Sequence, residues 1–319
     1  MIDTRLNRRA VLGAVGLAAM TALARPVLSR ASAKGFFAMH DLPIGVQLYT
    51  VDALLKEDFE GTLSQIAGMG YRTVEIAGFH KRSAGQFRAA LDKTGLTCRS
   101  AHIPTQALDE NPSLASEPGS LAEALHVLGV KTVVMPIFPL PASATSAPSS
   151  FETFVAAGRA MTADDWKRTA DYINAKARVF AELGLGFAYH NHNFEFAPLG
   201  DTCGFDILLN GTDPHLVTFE MDAGWVTAAG RNPLTLLRDH PGRFRQIHVK
   251  DIKPSTRPNF DLKQDPTSVG AGMIDWKAIL PAAYADGVRE FYVEQEPPYI
   301  GGPLPMIAAS QRYLASLPA

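Results

Sequence analysis

The sequence predicts an α/β protein folded as a (β/α)8 TIM barrel, and three observations carry that expectation. Short apolar runs alternate with amphipathic helical patterns eight times between Pro43 and the C-terminus. Eight such units in roughly 275 residues match the usual size of this barrel. Ionisable residues recur where the apolar runs end, which is where a barrel of this kind gathers its active site. An open doubly wound sheet would want a phosphate or dinucleotide loop after an early strand, whereas Gly68-Met69-Gly70 precedes one.

Residues 44–49 read as a buried strand, followed by a helical pattern over 59–69 with Phe59, Leu63, Ile66 and Ala67 on one side. The second strand, 71–76, carries Glu75 near its end, and a helix over 84–93 stops at Gly95 as at a C-cap glycine. A third strand over 96–101 leads to His102, and a helix over 121–128 ending at Gly129 precedes the fourth strand, 131–136. Residues 139–161, with three prolines and several Ser, Thr and Ala, predict a long excursion over the sheet ends with a short helix near 151–157. Thr162-Ala163-Asp164-Asp165 opens the next helix with acceptor side chains and early negative charge, and Gly184 ends it. The fifth strand, 185–189, runs into Tyr189-His190-Asn191-His192-Asn193-Phe194-Glu195-Phe196. A short helix over 205–209, a sixth strand over 215–220, a helix over 233–238 entered through proline and a seventh strand over 244–249 follow. A polar, glycine-ended loop over 253–272, a helix over 275–284, an eighth strand over 290–294 and a helix over 304–317 complete the chain.

The first 33 residues stand apart from the barrel domain, which is expected to span 43–319. Arg5, Arg8 and Arg9 precede an apolar run over 10–24, and Ala31-Ser32-Ala33 supplies a small-residue cleavage pattern, so residues 1–33 read as an export signal peptide. The run is short for a membrane span, and no stable membrane anchor is expected after cleavage. Asn7-Arg8-Arg9-Ala10-Val11-Leu12 resembles the twin-arginine motif of bacteria, with Asn7 and Val11 departing from its commoner residues. That resemblance implies passage through the twin-arginine translocase to a periplasmic or secreted location. Cleavage after Ala33 removes five arginines and Asp3 and takes the formal net charge from −2 to −6.

The remaining composition is that of an ordinary globular protein. No long basic run follows the first thirty residues, which argues against a nucleic-acid surface. The two cysteines, Cys98 and Cys203, have no second thiol at metal spacing, so a zinc–thiolate site is excluded.

Glu75, His102, His190, His192, Glu220, Asp222, His248, Lys250, Asp251, Glu294 and Glu296 all fall at or just beyond strand ends. On a strand, His190 and His192 share a face. Two imidazoles and two carboxylates, one from each of four successive strands, make a mixed nitrogen and oxygen donor set. His190, Asp222, His248 and Glu294 meet that description, separated by 32, 26 and 46 residues, one barrel unit each. With no thiolate, the set suits a divalent ion, with Mn, Zn, Fe, Co or Mg as candidates.

The stretch 189–196, with Phe219-Glu220-Met221-Asp222-Ala223-Gly224-Trp225, Ile247-His248-Val249-Lys250-Asp251 and Val293-Glu294-Gln295-Glu296, resembles the sugar phosphate isomerase/epimerase family, the xylose isomerase-like TIM barrels. The resemblance covers the chain from about Pro43 to its end. It implies a divalent metal held by side chains on strands five to eight, with Asp222, His248 and Glu294 at matching positions and His190 where many members carry glutamate. It also implies proton transfer next to the carbonyl of a carbohydrate substrate, with Glu294, His102, Glu220 and His192 as acid/base candidates. Lys250 would neutralise an oxyanion, Glu75 would bind substrate hydroxyls, and Trp225, with Phe138 and Tyr49, would face the sugar ring. Since relatives that epimerise ketoses use a glutamate pair, His190 means that the partner of Glu294 must be another group.

Export directs the expectation to a non-phosphorylated sugar or keto-sugar. An isomerase or epimerase is the main reading. A lyase or hydratase acting on 3-keto-glycosides begins with the same proton abstraction, and a non-catalytic periplasmic sugar-binding protein is the reading outside enzymology. The loops over 139–161 and 253–272 are the expected source of substrate selection, with a homo-oligomer as a further contributor.

Overall fold

The structure is a computed structural model that describes residues 34–107, 111–141, 143 and 151–318. The expected signal peptide, 1–33, and part of the 139–161 loop lie outside the described residues.

Eight parallel strands close into a barrel in which each is paired with its sequence neighbours and the last returns to the first. They are β1 Gly45–Gln47, β2 Thr73–Ala77, β3 Thr97–His102, β4 Thr132–Met135, β5 Gly186–His190, β6 Val217–Asp222, β7 Phe244–Val249 and β8 Glu290–Val293. One set of alternating positions is apolar and belongs to the core beneath the helices, among them Val74, Val133, Phe187, Phe219, Ile247 and Phe291. The other set carries Gln47, Glu75, Ser100, Gln246 and His248; Gln47 bonds Glu75 on the adjacent strand, while Gln246 to Ser100 and His248 to Glu75 cross the barrel between non-neighbouring strands. The register shifts between Val74 and Glu75 on β2 and between Phe219 and Glu220 on β6. Both shifts immediately precede a carboxylate that enters the barrel centre, as bulges beside active sites often re-aim side chains.

The helices begin and end on recognisable chemistry. Ser83 with Gln86, and Thr162 with Asp165, form reciprocal capping boxes at Ala84–Thr94 and Ala163–Glu182. Gly95, with φ +70°, ends the first of these in the left-handed conformation that a side chain would disfavour.

Several details differ from the sequence expectation. The sixth strand is displaced two residues towards the C-terminus, so Asp222 ends the strand and His215 lies before it. Phe36–Met39 forms a short helix before the expected boundary at residue 43. Phe36 and Phe37 are buried, and the Phe36 amide donates to Leu317 O at 2.8 Å, tying this segment to the final helix Pro303–Ser316. Asp52–Glu57 and Ala223–Ala228 are also helical. These pieces are too short to show a helical period in sequence.

Asp251 belongs to this scaffold. It is fully buried, and its side chain accepts from the amides of Ile252, Gly270, Gly272 and Ile274 at 3.0, 2.9, 3.3 and 3.2 Å and from Trp276 Nε1 at 3.2 Å. One carboxylate thus pins the far end of the 253–272 loop and the helix Trp276–Ala285 to the end of β7. Asp251→Asn, which turns an acceptor oxygen into a donor among N–H groups, is expected to cost roughly 1–3 kcal/mol in urea unfolding. A variant as stable as the parent would contradict this assignment.

Candidate active site and metal centre

The middle of the barrel is polar. Gln47 Nε2 donates to Glu75 Oε1 at 2.6 Å, Ser100 Oγ donates to Glu75 Oε2, and Gln246 Nε2 donates to Ser100 Oγ at 2.7 Å. His248 Nε2 lies 2.7 Å from Glu75 Oε1, while His102 Nε2 and His190 Nδ1 lie 2.8 and 3.1 Å from Glu220 Oε2. Glu75, Glu220 and His248 have no exposed surface. Burial alone would raise the pKa of Glu75, but the imidazoles of His102 and His248 outweigh it and hold the carboxyl well below its usual range. Burial also opposes charge on His248, and the carboxylates of Glu220 and Glu294 reverse that effect and raise it. Glu220 is pushed up, by burial first and then by the neighbouring Glu75.

One layer above, four side chains converge. Ligand atoms of His190, Asp222, His248 and Glu294 all lie within 4.8 Å of one another, and each residue stands at or within one residue of the end of a different strand, β5 to β8. A second group, His102, His190, Glu220 and His248, meets the same condition deeper in the barrel and shares two histidines with the first.

Local structure aims these groups. Asp222 caps the helix Ala223–Ala228 by accepting from the Trp225 amide through Oδ1 at 2.8 Å, while its own amide donates to Asn191 Oδ1 at 3.1 Å. Its other oxygen, Oδ2, is buried and accepts no hydrogen bond among the described residues, although Lys250 Nζ stands 2.9 Å away. After β5, Glu195 accepts from Tyr189 Oη at 2.8 Å and from the His192 amide at 2.9 Å, which fixes the histidine-rich turn. Gly224 admits the Lys250 stem, whose Cγ would lie 2.7 Å from an added Cβ.

Lys250 is fully buried, and its Nζ lies 2.7 Å from Glu294 Oε2 and 3.1 Å from Glu296 Oε1 as well as near Asp222. Burial opposes its charge, but these three carboxylates raise its pKa well above the ordinary value. In return Lys250, and then His248, hold Glu294 low against the effect of burial. Asp222, Glu294 and Glu296 therefore converge on one buried ammonium.

The donor set fits a divalent ion on this chain's own chemistry. It offers imidazole nitrogens and carboxylate oxygens without thiolate, and a buried Asp222 oxygen that accepts no hydrogen bond among the described residues and faces only the Lys250 ammonium and His248. Glu75 stands behind His248, the arrangement by which a carboxylate fixes the tautomer of a ligating imidazole.

Above this layer lies a cavity of about 390 Å³, lined by His102, His190, His192, Glu294 and Glu296 with Trp225, Phe154 and Leu262 among its apolar walls. Of the expected catalytic residues, His102, His192 and Glu294 reach it. Glu220 does not: it is wholly buried, with His102, His190 and His248 nitrogens 2.8 to 3.1 Å from its Oε2. Glu75 is corrected in the same way, since its oxygens are occupied by Gln47, Ser100 and His248 and it has no surface to offer substrate hydroxyls. Lys250 also lies below the cavity, engaged with carboxylates. Phe138 packs in the core against Phe154, Trp166 and Phe194, whereas Tyr49 and Trp225 line the cavity.

Two further titratable residues, His192 and Glu296, stand in the cavity wall. His192 Nδ1 is buried without a hydrogen-bond partner among the described residues, and burial, followed by the charge of Lys250, lowers its pKa to about 3, so the ring is neutral. Glu296 was given no role by sequence position; burial raises its pKa, with Lys250 opposing.

Lys250→Met leaves Asp222 and Glu294 buried without their ammonium. The variant is expected to lose about 3–5 kcal/mol in denaturant unfolding. Unchanged stability would mean that these carboxylates are not held together by Lys250.

The family described as xylose isomerase-like TIM barrel matches residues 63–317 of this chain. An inosose dehydratase of Clostridium beijerinckii is 27% identical over 215 residues, covering 66% of this chain and 70% of the relative. An inosose dehydratase of Geobacillus thermodenitrificans is 24% identical over 277 residues, covering 80% and 88%. The crystal structure of a sugar phosphate isomerase/epimerase from Parabacteroides distasonis superposes with a TM-score of 0.68 at 23% identity, over 87% of this chain and 94% of that one. With four fifths of its length matched, the chain belongs to the xylose isomerase-like TIM barrel family.

Proposed function

We propose that this enzyme removes a proton from the carbon next to the carbonyl of a keto-sugar or keto-cyclitol. The observation that carries the reading is the convergence of His190, Asp222, His248 and Glu294 at the base of a cavity whose wall holds the neutral, unpartnered His192. These four residues would hold a divalent ion, which when bound supplies Lewis-acid polarisation of a carbonyl oxygen.

The protein's own groups then divide the work. His192, a neutral imidazole on the cavity wall, accepts the proton from carbon. Glu294, held anionic by Lys250 and His248, serves charge placement better than proton exchange. Glu296, raised by burial, carries a proton to the departing oxygen. For loss of water, the C–H electron pair becomes the new C=C bond, the neighbouring C–O bond breaks, and the hydroxyl leaves with the Glu296 proton. Trp225, Phe154 and Leu262 limit water at the reacting carbons.

The expected isomerase or epimerase begins with the same abstraction and returns the proton elsewhere or to the opposite face. The relatives named inosose dehydratase favour elimination as the completion of the reaction. We also propose export of the protein, on the arginine pair and apolar run within residues 1–33, which the mass of the protein recovered from the cell envelope tests.

In D₂O, proton NMR with inosose and 3-keto-glucosides is expected to show exchange at the carbon beside the carbonyl, accompanied by loss of water from at least one substrate. His192→Ala should slow both by 10²–10⁴-fold without changing divalent-ion binding. Absence of exchange for every ketone, or full activity in the variant, would overturn the proposal.

A further inference from the structure

Beside the reaction cavity lies a second, larger one of about 980 Å³. Ala77 and Asn111 line both, so the two adjoin on either side of the turn that follows β2. This partition is fixed: the Phe79 amide donates to Asn111 Oδ1 at 2.8 Å, and an added Cβ at Gly78 would meet that same oxygen at 2.9 Å.

The turn holds an unusual backbone. His80 and Lys81 are consecutive non-glycine residues in the left-handed region, with φ of 49° and 58°. Arg82 braces them, its Nη1 donating to His80 O at 2.8 Å while its guanidinium lies 3.8 Å from the centroid of Phe59. The His80 ring packs near Phe59 and Phe87, and its side chain is only 3% exposed. Its Nδ1 faces Asp52 Oδ1 at 3.6 Å, whereas Nε2 is buried with no hydrogen-bond partner among the described residues. Burial lowers its pKa, so the ring is neutral; with Nδ1–H towards Asp52, Nε2 is an acceptor in a cavity wall.

The rest of that wall mixes signs. Lys56, Lys81 and Arg82 share it with Asp52 and Glu60, Lys56 pairing with Asp52 at 2.6 Å, and Gln86 adds an amide. The wall offers both donors and acceptors, as a polyhydroxylated ring requires, while an ion of either sign would meet its own charge.

We propose that this second cavity receives the second ring of a disaccharide or glycoside whose keto-sugar ring occupies the reaction cavity, with His80 Nε2 accepting one of its hydroxyls. The assignment rests on the keto-sugar reading for the first ring only. It makes the strained turn a selectivity element: single-ring and two-ring substrates differ by what they place beyond Ala77 and Asn111.

Calorimetric binding of unoxidised sugars to the full chain tests this apart from catalysis. Among maltose, cellobiose, trehalose and sucrose, at least one is expected to bind about 10-fold more tightly than glucose. His80→Phe, which keeps a ring between Phe59 and Phe87 but removes the nitrogen, should erase most of that advantage and leave glucose affinity unchanged. Lys81→Ala, an exposed change that spares the packed ring, should reduce the advantage at least about 3-fold. Equal affinity for glucose and every disaccharide, or equal weakening of both in the variants, overturns the proposal. Failure of solvent exchange with every ketone, with the disaccharide preference intact, overturns the reaction reading and leaves this subsite standing.

Discussion

Two carboxylates buried in the middle of the barrel, Glu75 and Glu220, set the terms for everything above them. A carboxylate removed from water costs several kcal/mol unless charge and hydrogen bonds replace its hydration. Glu75 finds Gln47, Ser100 and His248, and Glu220 finds His102, His190 and His248. Those partners cannot satisfy the carboxylates and turn freely. His248 is held with Nε2 on the interior pair, which leaves Nδ1 on the side of Glu294 at 3.0 Å and Asp222 at 3.8 Å. The lower layer thereby orients the upper one.

The upper layer has its own economy of contacts. Asp222 spends one oxygen on capping a helix and keeps the other beside Lys250, so the strand end, the helix start and the candidate ion site share one side chain. Lys250 stabilises three carboxylates without screening from solvent, and it occupies the rim of the same donor set. A divalent ion would add positive charge beside Asp222 and Glu294, which already share Lys250. The apolar wall of Trp225, Phe154 and Leu262 then separates a charged floor from solvent, which strengthens electrostatics at the reacting carbons.

Much of this was legible in the sequence because barrel strands impose a period of two and deliver their ends to one face. That is why His190, Asp222, His248 and Glu294 could be grouped before any coordinates, and why their ligand atoms meet in space. Depth was not legible. Glu75 and Glu220 occupy strand-end positions by the same rule, yet the register shifts before each of them and the stagger of the strands place them under the cavity. Alternation tells which face a residue takes, not which layer. Asp251 illustrates the converse error: its neighbours in sequence belong to the site, while its carboxylate turns to collect loop amides that are 19 to 23 residues away. Gln47 and Gln246 carried no sequence signal, since neutral amides inside a barrel look like any other polar residue until their carboxylate partners are seen.

The claim on which the account turns is that the upper donor set, not the deeper one, takes a divalent ion. Anomalous diffraction from crystals grown with Mn²⁺ or Zn²⁺ tests it directly. The account predicts one strong peak, with His190, Asp222, His248 and Glu294 at roughly 2.0–2.3 Å. A peak among His102, Glu220 and His248 without Asp222 and Glu294, or no peak inside the barrel at all, would contradict it.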